Sequence, residues 1–283
     1  LERRERIAVY GDYDADGVSA TALLTLTLRA LGADVTPYIP DRLEESYGLN
    51  APAIKTLHED GVRLIVTVDC GVRSVAEVAY AKTLGLDVVV TDHHSVPTVL
   101  PDATAVIDPK RHDSLYPFRE LAGVGVAYRL AQALYAAAED TGLAARDGAL
   151  LEGLLDLVAV GTVADIVPLL EENRTLAQSG LERLREDPRL GLGALATVSR
   201  LRRESLNSID IAFRLGPRLN AAGRLRNARL ALDLLLADDP AAARALAEEL
   251  DRVNGERQHL LESQLTLAQT KLDGQDTRAL LLV

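Results

Sequence analysis

Over roughly its first 110 residues the chain alternates two patterns of apolar and polar positions. Short apolar runs at 6–10 (RIAVY), 63–68 (RLIVTV), 86–91 (LDVVVT) and 104–107 (TAVI) have the length and β-branched content of strands buried on both faces. A weaker run at 35–39 (VTPYI) contains Pro37, which lacks a ladder donor and places that strand at an edge or shortens it. Between these runs, residues 18–31, 50–60 and 73–84 have helical patterns. Strands separated by helices of this length imply parallel pairing. The expected fold is α/β, a mostly parallel, helix-covered sheet.

From about residue 121 the pattern becomes helical, with apolar residues three or four apart over 123–140, 148–160 and 173–186. Residues 200–229 read as irregular, and a helix is expected over 227–237. Asp238-Asp239-Pro240 is a helix start with proline in the first turn, and the pattern behind it continues to about Leu272. Leu246, Leu250, Val253, Leu260, Leu261, Leu265 and Leu272 are expected along one side, with Gly255 as a bend point. At 1.5 Å per residue such a helix is roughly 50 Å long, the length of a connector. RALLLV, after Gly274, reads as the opening strand of another domain. The expected organisation is a body over 1–237, a long connecting helix and linker over 238–275, and the start of a second domain over 276–283.

Composition narrows the class. Apolar residues make up 48% and charged residues 26%, as in a soluble globular protein. No apolar stretch approaches the ~20 residues of a membrane span. With no signal peptide and no initial methionine, we read an internal piece of a longer cytoplasmic protein with no membrane role. Cys70 is the single cysteine, which excludes an internal disulfide framework and a cysteine zinc cluster; we read it as a small buried residue rather than a nucleophile. The net charge of −11 argues against a general nucleic-acid coat but not against a nucleic-acid enzyme with a local basic track.

The candidate chemistry lies where strands end. GDYDADG follows the first strand; if the backbone stayed extended, Asp12, Asp14 and Asp16 would share one side. Three crowded carboxylates repel one another unless a divalent cation neutralises them. The segment opens like an EF-hand loop, but its twelfth position is Leu23 where a bidentate Glu is required, and it follows a strand. A Rossmann reading fails because three aspartates stand where glycines should cradle a pyrophosphate. An aspartyl-phosphate nucleophile or a solvated acidic turn stays open on this segment alone. Asp69, then Asp92, His93 and His94, then Asp108 end three further strands, so four strands deliver acidic or imidazole groups to the sheet edge that faces ligands. Such a donor set suits Mg2+ or Mn2+, and two such ions roughly 3.5–4 Å apart fit an in-line phosphoryl displacement.

DYDADG (12–17), TVDCG (67–71), TDHH (91–94) and VGTVADIVPL (160–169), in this order, resemble the four motifs of the DHH phosphoesterase superfamily. DYDADGVSATALL, ESYGLN (45–50) and FRLGPRLNAAGRL (213–225) are similar to its branch of 5′→3′ exonucleases specific for single-stranded DNA. The resemblance implies a DHH-type fold and two divalent ions, Mn2+ or Mg2+. It implies that Asp14 binds one ion and Asp16 the other, that Asp69 bridges both, and that His93 and Asp165 complete the second. His94 then contacts the scissile phosphate, Asp92 orients a histidine, and Asp12 either orients another group or binds an ion itself. Asp165 enters only through the motif, since periodicity alone makes it a helix cap. The implied partners are single-stranded DNA, a helicase and a single-strand-binding protein. Such proteins carry a further domain that grips substrate phosphate, expected here beyond the connecting helix.

Residues 200–229 hold eight arginines against Glu204 and Asp210, a local excess that suits a phosphate track or a solvated loop. Arg218, Asn220 and Arg224 in this run, with Arg42, are the expected DNA and 5′-phosphate contacts. Tyr47 is the expected base platform; aromatic content is only 4%, so extensive stacking is not expected. The expected reaction releases 5′-mononucleotides from single-stranded DNA in repair and recombination. Its rivals are a phosphodiesterase for short oligonucleotides or cyclic dinucleotides, and an inert replication scaffold, which should have lost ligands that are present here.

Overall fold

A computed structural model of the chain describes residues 4–42, 45, 47–141 and 148–272. The sheet has five parallel strands, β1 (Arg6–Tyr10), β2 (Val35–Tyr38), β3 (Val62–Thr67), β4 (Asp87–Thr91) and β5 (Ala105–Ile107), in the order β2-β1-β3-β4-β5. Pro37 pairs with Val9 on edge strand β2, where a missing donor costs least. The expected α/β fold and its strands are observed to within a residue at nearly every end.

The chain first steps from β1 outward to β2, then crosses back to β3. Right-handed crossovers in opposite directions put their helices on opposite faces. α1 (Ala15–Ala30) covers one face; α2 (Ala51–Glu59) and α3 (Val75–Thr83) cover the other. Strand alternation follows, with Ile7 and Val9 facing the α1 core and Ala8 and Tyr10 facing the α2–α3 core. The reversal creates a switch point beyond the carboxyl ends of β1 and β3, where open α/β sheets bind ligands.

The second half forms a helical layer over α1. It comprises α4 (Gly123–Thr141), α5 (Gly148–Gly153), α6 (Leu155–Ala164), α7 (Glu171–Glu186) and α8 (Leu190–Val198). The chain continues with a short turn, α9 (Ser208–Asp210), a π-helical stretch (Ile211–Leu215), α10 (Gly216–Leu225), α11 (Arg229–Leu236) and α12 (Pro240–Leu272). Sandwiched between sheet and helices, α1 is buried nearly all round, Leu23 and Leu24 completely. No helix among the described residues is long and apolar enough to cross a membrane.

Residues 200–229 are not irregular, as their sequence suggests: Ser208–Leu225 is almost continuously helical. Asn207 and Asp210 form a reciprocal capping box, and Pro217 sits at the start of α10, directly after the π-helical stretch. α12 runs unbroken through Gly255. Leu250 and Val253 are buried against the body, but Leu260, Leu261 and Leu265 are each more than half exposed, so the expected stripe divides into a packed half and a projecting half. The expected start of a second domain, 276–283, lies outside the described residues.

Candidate metal centre

β1 ends at Tyr10, and the chain turns through Gly11-Asp12-Tyr13 into α1, so the aspartates are gathered by a turn and a helix start rather than by strand alternation. The turn is too tight for a side chain at Gly17, whose Cβ would lie 2.6 Å from that of Asp12. Asp14 is the N-cap of α1, with Oδ1 accepting from the N–H groups of Asp16 (2.9 Å) and Gly17 (3.0 Å). Asp16 accepts from the N–H groups of Gly123 (2.7 Å) and Val124 (2.9 Å) at the start of α4, donors that no helical carbonyl can satisfy. Asp69, just past β3, has a left-handed backbone, φ 61°, followed by Gly71 at φ 106°. Asp165 is the C-cap of α6.

These elements converge around His93, which is buried past the end of β4. Its Nε2 lies 3.0 Å from Asp69 Oδ1, 3.7 Å from Asp165 Oδ2 and 3.9 Å from Asp16 Oδ2. Three triads of donor atoms can hold an ion: Asp16 with His93 and Asp165; Asp12 with Asp14 and Asp69; and Asp69 with His93 and His94. Asp69 belongs to two of them and His93 to two.

Electrostatics makes the same point. Burial first, then Asp165 and Asp14, push the Asp16 carboxyl well above the usual range; burial and then Asp16 and Asp14 do the same to Asp69. Burial and then Asp14 raise Asp12 to about 7 and Asp165 to about 6. Burial and then His94 hold His93 down at about 4, so its imidazole is neutral. Asp12 Oδ1, Asp69 Oδ1 and His93 Nε2 are buried with no hydrogen-bond partner among the described residues. Although 3.0 Å apart, Asp69 Oδ1 and His93 Nε2 do not meet in hydrogen-bond geometry. Buried acceptors crowded without donors fit a divalent cation, and an oxygen-rich set with imidazole suits Mn2+ or Mg2+.

Asp92 is fully engaged: Oδ1 accepts from His93 N–H, His94 N–H and His94 Nδ1 (2.7 Å), and Oδ2 from Val72 N–H. Burial tends to raise Asp92, but the His94 side chain together with the N–H groups of Val72 and His94 outweighs it and the carboxyl is lowered; the hydrogen bond to Asp92 raises His94. Asp108 ends β5 but joins none of the donor triads. Cys70 is completely buried, and burial pushes its thiol up.

At the rim, the Tyr47 hydroxyl donates to Asp69 O (3.3 Å) and lies 3.4 Å from His94 Nδ1, while the Arg42 guanidinium sits 5.1 Å from the Tyr13 ring centre. Arg218 is held by Asp251 at 2.7 Å, and Asn220 Oδ1 accepts from Ala15 N–H, so both tie α10 to its neighbours. Arg42 and Arg224 have no ion pair among the described residues. Tyr13, Gly123 and Gly161 escaped the sequence reading. A Cβ at Gly123 would lie 2.6 Å from Asp69, and one at Gly161 2.6 Å from Asp16; the paired glycines of GVGV (123–126) were the available signal.

This sheet, with its acidic and histidine cluster at the switch point, is that of the DHH family. Residues 6–162, more than half of the chain, match the model of the DHH family, N-terminal domain, and the chain belongs to that family. Within it the chain is similar to the single-stranded-DNA-specific exonuclease RecJ of Bacillus subtilis (strain 168), at 47% identity over 92% of this chain and 32% of that protein. Among solved structures, exonuclease RecJ bound to manganese superposes with a TM-score of 0.83 at 41% identity, covering 94% of this chain and 65% of that one. RecJ from Thermus thermophilus in complex with Mn2+ gives 0.80 at 38% identity, covering 97% and 38%. The chain spans about a third to a half of the length of the curated RecJ relatives it matches.

Proposed function

We propose that this chain is the metal-binding core of an exonuclease that hydrolyses single-stranded DNA 5′→3′ to 5′-mononucleotides, in repair and recombination. The observation that carries this reading is the convergence of Asp12, Asp14, Asp16, Asp69, His93 and Asp165 in overlapping triads of donor atoms, with Asp12 Oδ1, Asp69 Oδ1 and His93 Nε2 buried and without a hydrogen-bond partner among the described residues. Similarity to RecJ supports the choice of substrate. When bound, two divalent cations, Mn2+ or Mg2+, supply Lewis acidity to the phosphate and lower the pKa of the attacking water.

In this reading Asp14 serves one ion, Asp16, His93 and Asp165 the other, and Asp69 both. Asp12 offers its partnerless Oδ1 to the Asp14 side, the ligand role of the two its sequence context left open. Asp92 holds His94 through Nδ1, which leaves Nε2 to hydrogen-bond the scissile phosphate and hold a proton there. Arg42 and Arg224 take the terminal 5′-phosphate, and Tyr47 takes a base. Arg218 and Asn220 brace this surface. A fixed phosphate pocket makes trimming directional. Residues 1–237 form the catalytic body, and α12 connects it onward. A cytoplasmic enzyme of this kind works with a helicase that exposes single strands and with a protein that coats them.

The test is digestion of 5′-labelled single strand and duplex with Mn2+ or EDTA, using this chain and a full-length RecJ-like protein containing it, with Asp69→Ala in each. Mononucleotides from the single strand only, metal-dependent and lost in Asp69→Ala, are expected. Hydrolysis of dinucleotides but not of long strands would replace the substrate, and no metal-dependent cleavage in either form would remove the reading.

A further inference from the structure

One residue beyond the candidate ligand Asp165, Ile166 adopts a left-handed backbone, φ 64°, with 88% of its surface exposed. It occupies the position just after the C-cap of α6, where glycine or asparagine is usual because a Cβ clashes there. A β-branched side chain is the costliest choice at this position, and packing among the described residues returns almost nothing. The helix stop therefore explains the backbone but not the side chain.

A second apolar group stands nearby. Phe213, one of only two phenylalanines in the chain, is 73% exposed on the π-helical stretch that leads into α10. A Cβ at Gly216 would lie 3.2 Å from Ala164 Cβ, so this stretch abuts the end of α6 within two residues of Ile166. The same segment carries Arg214 and Arg224, neither in an ion pair among the described residues, beside Arg218, whose charge is met by Asp251, and the two unpaired cations are complementary to phosphates. Apolar and aromatic side chains beside a basic track are what a strand with unstacked bases requires.

We infer that Ile166 and Phe213 form an apolar contact for the bases of the single strand flanking the phosphate at the metal centre. This rests on the nuclease reading above. The contact selects for unpaired bases, because paired bases are stacked on each other and cannot present their faces to these side chains.

The experiment compares binding of fluorescent 5′-phosphorylated oligothymidylate with an abasic strand of equal phosphate count, in Ca2+. It uses the parent chain, Ile166→Asn and Phe213→Ala. The parent should prefer the base-bearing strand. Each variant should lose on the order of ten-fold in affinity for it and nothing for the abasic strand. Asparagine tolerates the left-handed backbone, so the Tm of Ile166→Asn should equal or exceed the parent's. Variants that fold and keep the parent's ratio of base-bearing to abasic affinity overturn the inference while the nuclease reading stands. A parent that binds neither strand removes both.

Discussion

At Asp69 a left-handed backbone, a fully buried carboxylate and acidic neighbours coincide. Without a cation, each such group is more easily protonated in the folded than in the unfolded chain. Between the ordinary carboxylate pKa and the raised folded values, about 6 for Asp165 and about 7 for Asp12, the folded state binds more protons. Stability in chelator therefore falls as pH rises from about 4 to about 7. His93, lowered to about 4, acts in the opposite sense below its ordinary value, but it is one group against several. Thermal unfolding across this range should show Tm falling with pH in EDTA and the fall removed by Mn2+; a Tm rising steadily with pH in EDTA would refute the charge balance. Asp69→Asn should raise Tm in EDTA by a few degrees while abolishing the Mn2+ shift. Asp14, Asp16, Asp69 and His93 were legible in the sequence because they lie in the segments that follow β1, β3 and β4, which topology sends to one edge. Asp165 was legible only through its motif, because a C-cap in a helical layer carries no periodic signal of its position over the sheet.

Among the elements, the start of α4 has an unexpected part in the site: two backbone N–H groups bind Asp16 across 107 and 108 residues of sequence. Contacts of that separation leave no local pattern, so the glycines that allow them were missed. Gly123→Ala and Gly161→Ala should each destabilise by about 1–3 kcal/mol through overpacking and weaken Mn2+ binding at least ten-fold by calorimetry. Unchanged Mn2+ affinity in both would separate these helices from the site. Glu45 accepts from Tyr38 Oη at 2.6 Å and from Asp41 N–H at 2.7 Å. Glu45→Ala should raise the KM for single strands several-fold with Mn2+ affinity unchanged, whereas a fall in Mn2+ affinity would place its effect elsewhere. The parallel strands were read almost residue by residue, since runs buried on both faces leave a plain apolar signature. The helical turn from Ser208 was not, because its capping box and first-turn proline were outweighed by its glycines and arginines.

For the whole molecule, the step from β1 outward and back to β3 opens the crevice, and α6 closes it from the other face of α1 with Asp165. The whole chain has a net charge of −11 despite its basic segment, in which Arg218, Arg226 and Arg229 are paired with Asp251, Glu256 and Asp233. The track available to phosphate is thus narrower than the sequence count implies. Arg42→Ala and Arg224→Ala should each reduce the preference for 5′-phosphorylated over 5′-hydroxyl strands, by about ten-fold if a charge-assisted contact is lost. An unchanged preference in competition digests would put the phosphate pocket elsewhere. The packed and projecting halves of α12 were not distinguishable beforehand, because the leucine spacing continues past the last residue that meets the body. The most direct measurement is the anomalous difference map of a crystal equilibrated with Mn2+. Two peaks roughly 3.5–4 Å apart are expected, one beside Asp14 and the other among Asp16, His93 and Asp165, with Asp69 touching both. A single peak, or none between these residues at saturating Mn2+, would contradict the two-ion centre.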